Sequence, residues 1–305
     1  MPTRCWFRMW WSPPTDWLAA KARSSVGVVI VDTHIHVVAE DKERYPLNPT
    51  GNAPSGAWYE DDPCSAERLL SLMDESGVDF AVLVQGISAY QWDNRYAADS
   101  ARKYPERFTS VGCTNLGAEN AVDEVRHLLI DEAMRGLRFA GGLPLSGGDT
   151  GRSYPPEVWQ LAEELRVPAV MTLMANGIPR LLETLAQAPR VPIAIDHCAF
   201  VEPGKEHWDE FLTLSELPHV ALKVSTNALM TANKVGVEPA DFVEELAGRF
   251  GADRLMWGSD YSQTHHAPYP ELVAFGRRAT AKLSAEQRAS FDGETALRYW
   301  PELAP

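Results

Sequence analysis

Val28-Val29-Ile30-Val31-Asp32-Thr33-His34-Ile35-His36 is an apolar run that ends in alternating polar side chains. β-branched residues crowd it, which suits an extended strand packed on both sides. A two-residue alternation would set Asp32, His34 and His36 on one face, at the strand's C-terminal end. Seven comparable runs follow, at residues 79–84, 108–113, 136–139, 169–173, 192–196, 220–224 and 255–259. Each is short and almost uniformly apolar, as expected of strands covered on both faces of an all-parallel sheet. Amphipathic helical patterns fall between them, at 65–76, 120–132, 156–165, 179–188, 205–217 and 239–250. Ser65 and Asn120 are placed to cap helix N-termini, and Gly77 and Gly251 to stop helices. Eight strands alternating with helices predict an α/β protein, a (β/α)8 TIM barrel rather than an open doubly wound sheet. No Gly-x-Gly-x-x-Gly follows the first strand, which argues against dinucleotide binding.

The chain has 305 residues and a formal net charge of −14, from 42 acidic and 28 basic residues. Such a surface repels phosphate backbones and anionic lipid, so nucleic-acid and membrane-surface partners are disfavoured. Cys5, Cys64, Cys113 and Cys198 are widely spaced and contain no CxxC pair. That pattern is neither a zinc ribbon nor a secreted disulfide framework, and a cytoplasmic protein with free thiols is expected. No linker or repeat divides residues 28–305, which read as one barrel domain. Residues 1–27 read as an N-terminal arm that carries Trp6, Trp10, Trp11 and Trp17 around Pro13-Pro14, and lacks the apolar core of a signal peptide. The long connection at 37–64 is expected to lie over the barrel mouth as a lid or binding loop.

Barrel enzymes work at the C-terminal rim of their strands. His34 and His36 end strand one, His197 ends strand six, and Asp260 ends strand eight. Two imidazoles at that spacing can reach one cation or one substrate oxygen. A carboxylate at the end of so apolar a run as 255–259 needs a partner, because an isolated buried charge is very costly. Arg138 and Lys223, ending strands four and seven, are candidates to orient substrate or stabilise an oxyanion. Gln85, Tyr90 and Asn94 after strand two, and His265 after strand eight, are further substrate-binding candidates. Trp92, Trp159, Trp208 and Trp300 are expected to pack rather than bind.

Val31-Asp32-Thr33-His34-Ile35-His36, Asp196-His197 and Gly258-Ser259-Asp260 together resemble the signatures of the amidohydrolase superfamily. The likeness is closest to its branch of 2-pyrone-4,6-dicarboxylate hydrolases and sugar lactonases. Tyr45-Pro46-Leu47, Arg135-Gly136-Leu137-Arg138-Phe139, Lys223-Val224-Ser225 and Thr295-Ala296-Leu297-Arg298-Tyr299-Trp300 extend it from about residue 28 to 301. The resemblance implies a hydrolase with a small-molecule substrate, a lactone or carboxylate. Metal-dependent relatives usually carry a histidine at the end of strand five, where this chain reads Val170-Met171-Thr172-Leu173-Met174. A binuclear centre is therefore not expected. One divalent ion, zinc or manganese, on His34, His36 and Asp260 is one reading; weak or no metal dependence is the favoured one. The dicarboxylate hydrolases also place an arginine where Phe200 stands here, so a less charged lactone is expected.

The leading expectation is hydrolysis of a lactone or related cyclic ester. Asp260 would activate water while His34, His36 and His197 polarise the carbonyl. Two alternatives stand beside it: a metal-dependent decarboxylase of an aromatic or unsaturated acid, and a non-catalytic small-molecule binder. A homo-oligomer is compatible with the sequence.

Overall fold

The computed structural model describes residues 28–50, 56–140, 155–186 and 191–304. The arm read at 1–27 lies outside these residues. Eight parallel strands run in sequence order: β1 Val31–Ile35, β2 Phe80–Val84, β3 Phe108–Cys113, β4 Leu137–Ala140, β5 Ala169–Thr172, β6 Ile193–Ile195, β7 Val220–Ser225 and β8 Leu255–Gly258. Each strand pairs in parallel with the next, and helices cover the outside, as in a (β/α)8 barrel.

The expected strands are found, most with ends displaced by one residue and β1 by more. β1 begins at Val31 rather than at residue 28, and Val28 is exposed. The expected caps mostly hold: the Ser65 hydroxyl accepts from the Arg68 amide, and Gly77 is left-handed at φ 67°. Asn120 stands at an N-cap but makes no capping bond, because its amide reaches Glu124 instead. Helices at Arg95–Lys103, Thr226–Lys234 and Tyr269–Ala279 were not singled out by periodicity. Among the described residues no helix is long and apolar enough to cross a membrane.

Two apolar layers hold the barrel. Outward side chains such as Leu137, Phe139, Ile193, Ile195 and Leu222 pack on the helices, with Trp159 and Trp208 among them. Inward ones, Val31, Val82, Val84, Val111, Val170, Ala194, Ala221 and Met256, fill the interior, and Trp300 and Leu303 from the C-terminal segment join them. Further along the strands the inward positions turn polar: Arg138 on β4, Thr172 on β5 and Lys223 on β7, all buried. The apolar layer thus forms a floor, and the chemistry is confined to the C-terminal end above it.

The seam between β1 and β8 is stitched rather than laddered. The Asp260 amide donates to the His34 carbonyl at 2.7 Å, and the His36 amide to the Tyr261 carbonyl at 2.6 Å. Thr33 donates its hydroxyl to the Trp257 carbonyl, and Asp32 Oδ1 accepts the amides of His34 and Ser259. Gly258 permits this approach, since a Cβ there would lie 2.9 Å from His34 Cβ. Asp32 therefore does not share the face of His34 and His36. The β1 register breaks between Asp32 and Ile35, and the Asp32 carboxylate meets the Tyr269 hydroxyl of the helical layer.

Burial lifts the Asp32 carboxyl to about 6, against hydrogen bonds from Ser259, His34 and Tyr269 that pull it down. A carboxyl raised in the folded state lends stability below its unfolded pKa and loses it as pH rises through its folded pKa. Asp32→Asn retains an acceptor and does not ionise. Its stability relative to the wild type is expected to rise between about pH 4 and about pH 7, by up to about 3 kcal/mol. Urea unfolding across that range checks this, and a pH-independent difference would contradict it.

Candidate active site

Four buried groups, His34, His36, His197 and Asp260, meet at the barrel mouth as the sequence reading expects. What orders them is the anchoring of their far ends. His36 Nδ1 lies 2.8 Å from the Val84 carbonyl at the end of β2. A carbonyl only accepts, so Nδ1 carries a proton, and whenever the ring is neutral Nε2 keeps the lone pair. His34 Nδ1 lies 3.0 Å from Asp196 Oδ1. Burial keeps the His34 pKa well below its ordinary value despite the pull of Asp196, so the ring is neutral at pH 7.

Asp260 is held by one oxygen and bare at the other. Oδ2 accepts from Asn227 Nδ2 at 2.5 Å and from the Thr264 hydroxyl at 2.8 Å. Oδ1 stands 3.3 Å from His36 Nε2 and 3.5 Å from His34 Nε2. Neither Asp260 Oδ1 nor His34 Nε2 has a hydrogen-bond partner among the described residues. Burial raises the Asp260 pKa, whereas proton charge on His197, His36 or His34 would pull it well below the usual carboxylate range.

His197 reaches the site through an unusual turn. Asp196 ends β6, and His197, Cys198, Ala199 and Phe200 all take positive φ, between 49° and 55°. A left-handed L-residue costs about 1–2 kcal/mol, so four in succession are strained. In a regular strand Asp196 and His197 would face opposite ways. The left-handed turn instead brings His197 back beside His34, with ring centroids 4.5 Å apart. Its Nδ1 pairs with the Ser225 hydroxyl at 2.8 Å, and Phe200 lies against its ring at 4.7 Å.

Several candidates prove to hold the frame. Arg138 Nε meets Thr172 Oγ1 at 2.8 Å and Asp196 Oδ2 at 3.2 Å, and Nη1 donates to the Gln85 carbonyl. Lys223 is fully buried, with Nζ 3.2 Å from Asp196 Oδ1 and 5.3 Å from the Trp300 ring centroid. Both cations thus face Asp196 rather than standing open to receive substrate. The Tyr90 hydroxyl accepts the Ala39 amide, and Gln85 Nε2 donates to the carbonyls of Gln91 and Asp93. Asn94 pins both backbone groups of Cys113. His265 accompanies the Gln263 carbonyl and Asp61 of the 37–64 connection, not the four central groups. Polar side chains near a barrel mouth have many backbone groups to satisfy, and these residues do that. That connection does sit at the mouth: Trp58 packs 5.5 Å from the His36 ring and donates to Ser88.

The sequence reading missed Asn227, Thr264, Ser225 and Thr172, and gave Asp196 no role. The available signal was a polar residue closing an apolar strand, as at Thr172, Asp196 and Ser225.

Two sets of side chains come close enough to hold a metal ion: His34, His36 and Asp260, and His34, Asp196 and His197. The second set would use atoms already hydrogen-bonded, since both Asp196 oxygens and His34 Nδ1 are engaged. The first offers two imidazole Nε2 atoms and a carboxylate oxygen, two of them buried without partners. Such an acceptor-only cluster calls for a cation, or a water with its protons turned inward, and its donor types suit zinc or manganese. Asn227→Ala removes one anchor of Asp260 and is expected to lower turnover about 10- to 100-fold while circular dichroism stays unchanged. Unaltered turnover would show that this anchor does not matter.

The sequence pattern of the amidohydrolase family matches residues 31–301. An L-fucono-1,5-lactonase from Burkholderia ambifaria is 29% identical over 250 residues, covering 77% of this chain and 84% of that protein. Among solved structures, a probable 2-pyrone-4,6-dicarboxylic acid hydrolase from Acinetobacter baumannii superposes with a TM-score of 0.69 at 17% identity, covering 89% of this chain and 99% of that one. A 2,6-dihydroxybenzoate decarboxylase from Rhizobium superposes with a TM-score of 0.60 at 15% identity, covering 90% and 98%. The match spans every strand and all four central residues, and the chain belongs to the amidohydrolase family of hydrolytic enzymes.

Proposed function

We propose that the enzyme opens a lactone ring, with a sugar-acid lactone as the substrate class, at the point where His34 Nε2, His36 Nε2 and Asp260 Oδ1 converge. The observation that carries this is the bare Asp260 Oδ1, a buried carboxylate oxygen without a partner whose sister oxygen is tied down. The lactonase relative supports the substrate class. Phe200 lies against His197 and adds no charge, which suits a neutral ring better than a dicarboxylate.

Asp260 accepts the proton of the attacking water as its oxygen adds to the ring carbonyl. His34 and His36 turn Nε2 lone pairs toward the position of that carbonyl oxygen, so they would polarise it through a cation that they hold, with His197 beside them. The ring C–O bond then breaks, and the proton passes to the departing ring oxygen, giving an open hydroxy acid. A divalent ion held by His34, His36 and Asp260 would supply Lewis-acid polarisation of the same carbonyl. The anchors behind each group keep the constellation in place before substrate arrives, so little reorganisation is needed during reaction.

The decarboxylase reading shares the fold, and product analysis separates the two. A panel of sugar 1,5-lactones and a dicarboxylated pyrone, followed by pH-stat titration, is expected to show acid release with neutral lactones preferred. Asp260→Asn is expected to lose about a thousandfold in kcat while keeping its fold. Carbon dioxide release from hydroxybenzoates with no lactone turnover would replace this reading.

A further inference from the structure

Asp196 is the most heavily engaged side chain of the site, yet it has no oxygen left for chemistry. Oδ1 meets His34 Nδ1 at 3.0 Å and Lys223 Nζ at 3.2 Å. Oδ2 meets the Thr172 hydroxyl at 2.5 Å and Arg138 Nε at 3.2 Å. Hydrogen-bond contacts from His34, Arg138 and Thr172 occupy both oxygens. The Lys223 ammonium stands 3.2 Å away as a counter-charge without a hydrogen bond of its own. The carboxylate thus offers no free oxygen to a substrate or an ion.

The partners come from four different strands: β1, β4, β5 and β7. Lys223 in turn rests over the Trp300 ring on the apolar floor. A buried carboxylate with two buried cations is costly to assemble, and hydrophobic packing of similar volume would serve stability as well. One contact in the network has a consequence for reaction geometry, the contact to His34. Without Asp196 the His34 ring could rotate or carry its proton on Nε2, which would then point at Asp260 Oδ1 and close the cluster.

We infer that Asp196 is a positioning residue: with Lys223 and Arg138 as its counter-charges, it holds His34 as the Nδ1–H tautomer and so keeps the Nε2 lone pair directed at the reaction centre. The inference rests on the proposed role of His34 in lactone opening, but its first test does not depend on that reaction.

In the metal-free wild-type protein labelled with 15N-histidine, the His34 ring is expected to show its proton on Nδ1 and an unprotonated Nε2. A His34 signal with the proton on Nε2 would overturn the inference whatever the enzyme hydrolyses. Asp196→Asn combined with Lys223→Met then removes one buried charge of each sign. Arg138 can only donate, so it claims the amide oxygen and turns the amide N–H toward His34 Nδ1, which drives the proton to Nε2. The double variant is expected to show that tautomer or a mixture, and to bind zinc about 10- to 100-fold more weakly in a chelator competition. For whichever lactone the wild type turns over, kcat should fall by a similar factor with KM nearly unchanged. A folded double variant with the wild-type tautomer and zinc affinity would overturn the inference. Should the variant fail to fold, the wild-type spectrum still decides. A correct tautomer alongside a failed lactone panel would remove the substrate reading and leave the positioning role standing.

Discussion

Three atoms that accept when both rings are neutral, His34 Nε2, His36 Nε2 and Asp260 Oδ1, face one another on buried side chains. Left to themselves they would repel, and unpaired polar atoms in a dry interior are expensive. The surrounding structure holds them there all the same. Val84, Asp196, Asn227 and Thr264 each grip the far side of one group, so none can turn its lone pair elsewhere. A destabilised arrangement maintained by its neighbours is the signature of a site built for something absent from the folded chain alone.

The barrel makes this possible by its geometry. Parallel strands deliver their C-terminal ends to one rim, and the apolar floor of Val31, Ala194, Ala221 and Trp300 keeps water out from below. At the two points where a strand's alternation would send a side chain the wrong way, the backbone turns left-handed. Asp260 sits at φ 60° and His197 at φ 54°. The seam between β1 and β8 is stitched by Asp32 and Thr33 because a regular ladder there would not bring Asp260 against both histidines.

Much of this was legible beforehand. The apolar runs located the strands because both faces of each are buried, and the four central residues stood out as polar endings on such runs. The second layer was not legible. Asn227 and Thr264 are ordinary polar residues whose importance comes from what they touch across the fold. Tyr90, Asn94 and His265 lie near the mouth in sequence, and in the fold their bonds serve the backbone and the 37–64 connection. Asp32 was misplaced because one register irregularity reverses the alternation on which the assignment relied.

The missing strand-five histidine led the sequence reading toward weak or no metal dependence. The geometry weighs on the other side, since Thr172 is engaged with Asp196 while the acceptor-only cluster is complete without strand five. Metal analysis of the purified chain after zinc or manganese loading, run beside lactone turnover, decides whether the acceptor cluster works through a bound ion. One ion per chain is expected, lost in Asp260→Ala, with turnover that follows occupancy. Full turnover by protein stripped of metal would contradict that expectation.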